Sequence, residues 1–509
     1  MADDRLIAGV DAGTTRIRAL LFTLDGRVVA EGSRPSPVER PRPGWAEHDA
    51  EALWRAASGA LREATAEIGR PARIRGIAVA SVGEALVALG GDGRPTCPVI
   101  AWYDERPIAQ LARLEAEFGN DRLYALTGLS PDPTFSLCKL LWLQENQPDA
   151  LARTGLCLNV AHYLAWRLCG VATADLSLAS RSLALDLHAR RWAEDLIRAL
   201  GLSPAMFPEI RPCGARLGTV TAEAAAATGL STECAVGVAG HDHIMGALAT
   251  GALAPGVLLD SMGSAEGLTL ALDASTTEPE IGPRGYSQGV VEVARPMPYV
   301  FGGFPTSGAC VEWFRGLFGG EVPHAQLIAA AEDVPPGCRG ATFVPDLRGR
   351  LSPTPDPLAR GAWLGIGGDA TRATLYRALL EGLAFEARQT VDSLTELPGL
   401  PRIEAVRAIG GNTQNPLLMA IKAALYDRAI AAAAMPEATA LGAALLGGLA
   451  AGVFTDLASA VAGLAPSYHS FEPRADWVGI YQAHYRRVYQ PAYARLRPLH
   501  HAAAALYED

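Results

Sequence analysis

Positive charge is the first thing this sequence is short of. Its 44 lysines and arginines face 54 aspartates and glutamates, a formal net charge of −10. With that balance no broad cationic face forms, which excludes nucleic acid as a partner. A small phosphate-bearing ligand stays open, because backbone N–H groups bind phosphate without net charge. Paired cysteines are missing too. The eight cysteines (97, 138, 157, 169, 213, 234, 310 and 338) contain no C-x-x-C and no framework spacing, so free, buried thiols in a reducing compartment are expected. No apolar run is long enough for a bilayer. The longest, Ala438 to Phe454, is about 17 residues of mainly Ala, Gly and Leu, which favours close helix packing over a membrane span. Met1 to Arg5 carries no signal-peptide anatomy, so a cytoplasmic protein without a membrane partner is expected. Nor is the composition that of a disordered chain: 49% of residues are hydrophobic and 19% charged. A chain of 509 residues exceeds what one core holds, and two large domains are the simplest arrangement.

What is present is an internal repeat. Leu6 to Val10 is strand-like, Asp11-Ala12-Gly13-Thr14-Thr15 is a turn, and Ile17 to Thr23 is strand-like again. Gly256 to Leu259, Asp260-Ser261-Met262-Gly263-Ser264 and Gly267 to Asp273 repeat that order, with Gly13 and Gly263 250 positions apart. The period predicts two similar domains, each opening with a hairpin tipped by small residues. Between strand-like runs (74–80, 85–89, 235–239, 342–344, 405–409) lie helical patterns at 50–67, 107–117, 138–145, 159–168, 371–394, 415–426 and 437–451. Strands alternating with helices predict an α/β fold. Arg34–Pro43, Pro283–Gly285 and Leu347–Pro357 are punctuated by Pro and Gly and predict loops.

Three turns can carry chemistry. An Asp at a strand end followed by Gly and two hydroxyls, as at Asp11 to Thr15, can offer N–H and hydroxyl donors to phosphate and a carboxylate to Mg²⁺; the same turn is also ordinary hairpin chemistry. Gly410-Gly411-Asn412 stands between a strand and a helix, where a close-approaching ligand or a plain cap would equally suit it. Gly240-His241-Asp242-His243 follows a strand and precedes a small-residue helix, where ligands bind in α/β proteins. A base or a Mg²⁺-water carboxylate is expected of Asp242 ahead of a transition-metal site, since His241 and His243 have no third ligand nearby in sequence.

Taken in order along the chain, these segments resemble the FGGY family of carbohydrate kinases, a branch of the actin-like, ribonuclease-H-like ATPases. The resemblance rests on Asp11 to Thr15 with Arg18, Gly44-Trp45-Ala46-Glu47-His48-Asp49 with Trp54, and Ala101 to Arg106. It continues through Ser136 to Asn146 (departing at Thr134), Asp260 to Ser264, Arg377 to Gly382, Gly410 to Pro416 and Glu437 to Ala444. It implies two ribonuclease-H-like domains around a central cleft, residues 1–250 holding sugar and the first phosphate hairpin. Residues 251–491 would hold the second turn and adenosine, and 492–509 form a C-terminal tail. It implies ATP and Mg²⁺, with Asp242 as general base and Asp11, together with Asp242, serving the metal. Thr14, Thr15, Arg18, Gly263, Ser264, Gly308, Gly410, Gly411, Asn412 and Asn415 would bind the nucleotide. Glu84, Trp102, Asp104, Arg106 and His241 would join Asp242 around the substrate, and a homodimer is allowed.

The loop Ser81-Val82-Gly83-Glu84-Ala85 is where the family reads its sugar. A xylulokinase-like loop would carry Met-His and a glycerol-kinase-like one Arg-Glu; Gly83-Glu84 matches neither. Glu84 can accept from vicinal hydroxyls and Trp102 can lie against a carbon chain, which predicts a neutral ketose or polyol rather than a sugar acid. The alternative is an actin-like ATPase with a conformational or polymerising role, which would share both phosphate turns.

Overall fold

The computed structural model describes residues 4–275, 280–317, 320, 322–433, 437–464 and 468–506. Two sheets carry the repeat. In the first, β1 (Leu6–Ala12), β2 (Arg16–Thr23), β3 (Val28–Pro35), β4 (Ile74–Ser81), β5 (Arg216–Thr219) and β6 (Ala235–Gly237) stand in the order β5-β6-β4-β1-β2-β3. In the second, β7 (Val257–Met262), β8 (Glu266–Ala271), β9 (Ser287–Glu292), β10 (Pro296–Phe304), β11 (Ala405–Ile409), β12 (Ile430–Ala433) and β13 (Tyr468–Phe471) stand in the order β9-β10-β8-β7-β11-β12-β13. Each sheet opens with an antiparallel hairpin, β1–β2 or β7–β8, whose first strand pairs parallel with a later one, β4 or β11. Ala12 and Met262, the last residues of β1 and β7, keep the 250-residue offset of the sequence repeat. This is the two-fold ribonuclease-H-like, actin-like α/β architecture.

The Ala/Gly-rich run is a helix, α7 (Ala438–Ala450), and it lies against the first sheet although it connects strands β12 and β13 of the second. Small residues are required there. A Cβ on Gly76 of β4 would stand 2.0 Å from the carbonyl oxygen of Gly447, so the backbones touch and only glycine fits. A second helix, α3 (Asp242–Ala249), packs on α7. Ile7, Leu20 and Phe22 of the first sheet, Leu259 and Ile409 of the second, and Leu441 of α7 share one buried apolar cluster. Among the described residues no helix is long and apolar enough to cross a membrane. The eight cysteines are all free, six of them buried.

The C-terminal segment that starts at residue 492 is anchored on the second half of the chain. Ala492–Ala504 is helical, Tyr493 donates to Asp356, and His501 Nε2 lies 2.7 Å from the same carboxylate; 507–509 lie outside the described residues. Ala431, Ala432 and Ala433 belong to strand β12, between β11 and β13.

Candidate active site

The ends of three strands meet at one edge of the first sheet. Asp11 stands opposite Ala80 in the parallel β1–β4 register. Beyond β4, Val82 N–H donates to Ala12 O at 3.2 Å and Ser81 N–H to Gly240 O at 3.2 Å. Asp11, the 82–85 loop and Asp242 therefore emerge side by side, at the carboxyl edge where α/β sheets place ligands.

Asp242 is the first residue of α3. One of its oxygens accepts the His243 N–H at 2.7 Å and lies 3.3 Å from His241 Nε2. Burial raises its pKa to about 7, with Glu84 adding to the rise and Arg181 opposing it. Burial raises Asp11 further, to about 8, helped by Asp242 and Glu437. Among the described residues Asp11 Oδ1 accepts no hydrogen bond. Two carboxylates with an unused buried oxygen are short of a cation. They fit Mg²⁺, which takes one or two carboxylates and completes its shell with water and phosphate oxygens. A transition-metal centre does not fit: no group of three His, Cys, Asp or Glu suited to a metal occurs among the described residues. His243 Nδ1 is engaged by Ser261 Oγ at 3.0 Å, and burial lowers its pKa to about 4.

Glu84 has a left-handed backbone, φ 61°, which costs a non-glycine residue about 1–3 kcal/mol and persists only where neighbours enforce it. Ser136 Oγ and Lys139 Nζ both donate to the Glu84 carbonyl at 3.0 Å. The 136–146 segment, quoted above as a sequence signature, is thus the brace of this loop. Arg181 Nε donates to Glu84 Oε1 at 2.5 Å. Arg181, Phe135 and Phe301 carried no motif and were not among the sequence candidates.

Asp104 and Arg106 turn away from the site, against expectation. Arg106 Nε and Nη2 each donate to Asp104 at 2.8 Å, Asp104 also takes the Ala46 N–H, and Arg106 lies 3.9 Å over the Trp45 ring. Asp104 is 1% exposed. Both hold the 44–47 and 101–106 loops together: a buried guanidinium must be paired with a carboxylate, and the flat ring adds a further attraction. His241 is likewise enclosed, and burial with His243 and Arg181 holds it well below its ordinary pKa; it stands behind Asp242. Arg18 is paired with Glu437 and Glu31, so its charge is taken by carboxylates. Trp102 Nε1 donates to Thr14 Oγ1 at 3.1 Å, while Thr15 is exposed at the hairpin tip.

The second hairpin is supported from α4 (Gly308–Leu317). Gly308 N–H donates to Gly263 O at 2.9 Å, and Ser264 O accepts Ser307 and Ala309 N–H groups. Gly410 passes so close that a Cβ would meet Met262 O at 2.4 Å, and its φ is 98°, so glycine is demanded there. Asn412 Nδ2 donates to Ser307 Oγ at 3.1 Å; Gly411 is exposed, and Asn415 caps the helix Pro416–Tyr426 by accepting from Leu418 N–H. Under this surface lies a buried chain that sequence reading missed. Ser307 Oγ donates to Glu266 at 2.8 Å, Glu266 pairs with Lys422, and Lys422 Nζ is 2.6 Å from Asp260.

Comparison with known proteins supplies the family and the fold. Residues 6–249 match the FGGY family of carbohydrate kinases, N-terminal domain, and residues 269–451 its C-terminal domain. A glycerol kinase of Nocardia farcinica is 32% identical over 471 residues, 89% of this chain and 91% of the relative. A xylulose kinase of Bacillus subtilis is 26% identical over 479 residues, 94% and 95% of the two chains. Among solved structures, a xylulose kinase from Rhodospirillum rubrum superposes with TM-score 0.85 at 30% identity, covering 98% of this chain and all of that one.

Proposed function

The chain belongs to the FGGY family of carbohydrate kinases, and from that premise we propose that it transfers the γ-phosphoryl group of ATP to a hydroxyl of a neutral ketose or polyol, with Asp242 as general base. That it is an ATP-dependent sugar or polyol kinase follows from the family and the glycerol and xylulose kinase relatives. The actin-like polymerising alternative is not favoured. The observation that supports the finer reading is the strained, braced Glu84 loop emerging beside Asp242 at the sheet edge, close enough for the Glu84 charge to raise the Asp242 pKa, so that a small hydroxylated molecule would meet two carboxylates.

Phosphoryl transfer asks mainly for positioning and charge stabilisation. The substrate hydroxyl would lie against Asp242, whose free carboxylate oxygen takes the proton as the hydroxyl oxygen bonds to the γ-phosphorus and the bond to the ADP oxygen breaks. Glu84 would hold a hydroxyl farther along the chain, and Trp102 would fix Thr14 at the phosphates. Thr14, Thr15, Gly263 and Ser264 would donate to the β- and γ-phosphates, and Gly308, Gly410, Gly411 and Asn412 would border the nucleoside. Asp11, with Asp242 beside it, would hold Mg²⁺, which when bound neutralises phosphate charge.

The deciding experiment is ATP turnover with and without a panel of pentuloses, hexuloses, deoxy-ketoses, tetritols, glycerol and D-gluconate. Strong stimulation by a neutral member is expected; sugar-independent hydrolysis, or a preference for gluconate, would defeat the proposal. Asp11→Ala should raise the Mg²⁺ concentration for half-maximal activity by roughly tenfold or more, and an identical Mg²⁺ profile would remove Asp11 from the metal role. The sign of its stability effect is opposite. A carboxyl raised from 3.8 to about 8 on folding binds its proton more tightly in the folded state. Nucleotide-free wild-type protein therefore loses stability as pH rises through the interval from about 4 to about 8, and Asp11→Asn should flatten that part of the melting-temperature profile.

A further inference from the structure

Arg181 sits at the end of a short helix, α2 (Leu176–Ala179), whose cap Asp175 accepts the Ser177 and Leu178 N–H groups. Ser177 Oγ in turn accepts the His241 N–H at 3.0 Å. The base-bearing turn and the turn that delivers Arg181 are thereby tied together. The guanidinium lies between two aromatic rings, 5.2 Å from the Phe135 centroid and 5.3 Å from that of Phe301. Phe301 also stands 5.4 Å from the His243 ring and 6.2 Å from that of His241, on either side of Asp242. Gly83 makes room for this: a Cβ there would come within 3.3 Å of His241 and 3.7 Å of the Arg181 Cβ.

Only one edge of the guanidinium is used. Nε donates to Glu84 Oε1, and among the described residues Nη1, Nη2 and Glu84 Oε2 have no hydrogen-bond partner. None of the three is an enclosed polar atom, and the Arg181 side chain keeps 13% of its surface. Two donors and an acceptor therefore stand next to one another, held by ring contacts and an ion pair, on a turn tied to the one that carries Asp242. A hydroxyl accepts from one partner and donates to another at once, so two adjacent hydroxyls complement this array. A carboxylate does not: it offers acceptors only, the positive charge is already matched by Glu84, and Oε2 would repel it.

We propose that Arg181 is a substrate-binding residue that, with Glu84, selects a neutral chain carrying two adjacent hydroxyls beyond the one phosphorylated. The inference rests on the kinase reading above and adds to it the residue that sets selectivity. Glycerol against propane-1,2-diol, and D-xylulose against its 3-deoxy analogue, supply diol and diol-deficient pairs. For whichever parent the wild-type enzyme phosphorylates, kcat/KM should exceed that of the deoxy partner by tenfold or more, since a polar site rejects the analogue that leaves it unpaired. Arg181→Met should raise KM for the parent about 10- to 100-fold, lower kcat less than KM rises, and shift KM for ATP by less than twofold. The parent-to-deoxy ratio should collapse towards one. Glu84→Ala should act in the same direction, and the double variant should be little worse than the worse single one, because the two act as a unit. Arg181→Lys keeps charge and stem, so it answers the question if the Met variant fails to fold; it should recover only part of the selectivity, lacking the fork. Unchanged KM and selectivity in a folded Arg181 variant overturns the inference alone, as does an equal loss on sugar and ATP, which marks a structural role. A wild-type enzyme that turns over no neutral member, or prefers D-gluconate, overturns the kinase reading and this one with it.

Discussion

Asp242→Asn should lower kcat for sugar phosphorylation by about 10²–10⁴, the range a general base contributes, while ADP and ATP bind almost as before. The substitution keeps the shape of the side chain and an oxygen to accept the His243 N–H, now 2.7 Å away, so α3 should start where it does. What is lost is the atom that receives the proton. The pH profile supplies a second reading. Burial holds the Asp242 carboxyl at a pKa of about 7, and a base works only when deprotonated, so wild-type kcat/KM for sugar should fall as pH drops below about 7. Bound cation favours the carboxylate and moves that limb to lower pH. The limb should be absent from the residual activity of the variant. Retention of more than about a tenth of wild-type kcat would show that Asp242 is not the base.

Lys422→Met should be the most destabilising single change in the second half of the chain. Lys422 Nζ is fully buried and is 2.6 Å from Asp260, with Glu266 on its other side. Burial pushes the Glu266 carboxyl up and Lys422 pulls it back down. Removing the ammonium leaves two enclosed carboxyls without a counter-charge, and breaking such a pair from one side costs about 3–5 kcal/mol. For a half-chain of this size that is a fall in Tm of roughly 6–20 °C. Calorimetry measures it, and a shift under about 2 °C would mean that the cluster is not ionic. The triple change Lys422→Met, Asp260→Asn, Glu266→Gln should return much of the loss, since the damage is unpaired charge rather than missing volume. The same cluster reaches, through Ser307 and Asn412, the turn proposed to border the nucleoside, so KM for ATP should rise in the single variant.

Much of the framework was legible along the chain because it is local. The hairpins at 6–23 and 257–271 are neighbours in sequence, and their tips at Gly13 and Gly263 repeat at the distance between the two sheets. The Ala438 run declared its close packing through its small side chains, and the backbone contact at Gly76 and Gly447 is the reason. Strand pairing can override the helix propensity of alanine. Alanines 431–433 form a strand because a parallel neighbour, β11, and an antiparallel one, β13, take up their backbone groups.

The sequence by itself determined the α/β class, the duplicated hairpin, the glycine turns and the acidic residues at strand ends, since each depends on residues within a few positions of one another. Only the tertiary structure decided what those residues face. Asp104 and Arg106 look like site residues in a row of letters, and a carboxylate and guanidinium two positions apart satisfied each other against Trp45 instead. Arg181, 97 positions from Glu84, and Lys422, 162 positions from Asp260, entered because a buried charge takes whatever opposite charge the fold brings to it. That choice is made by three-dimensional proximity in a medium of low dielectric, and no spacing along the chain records it.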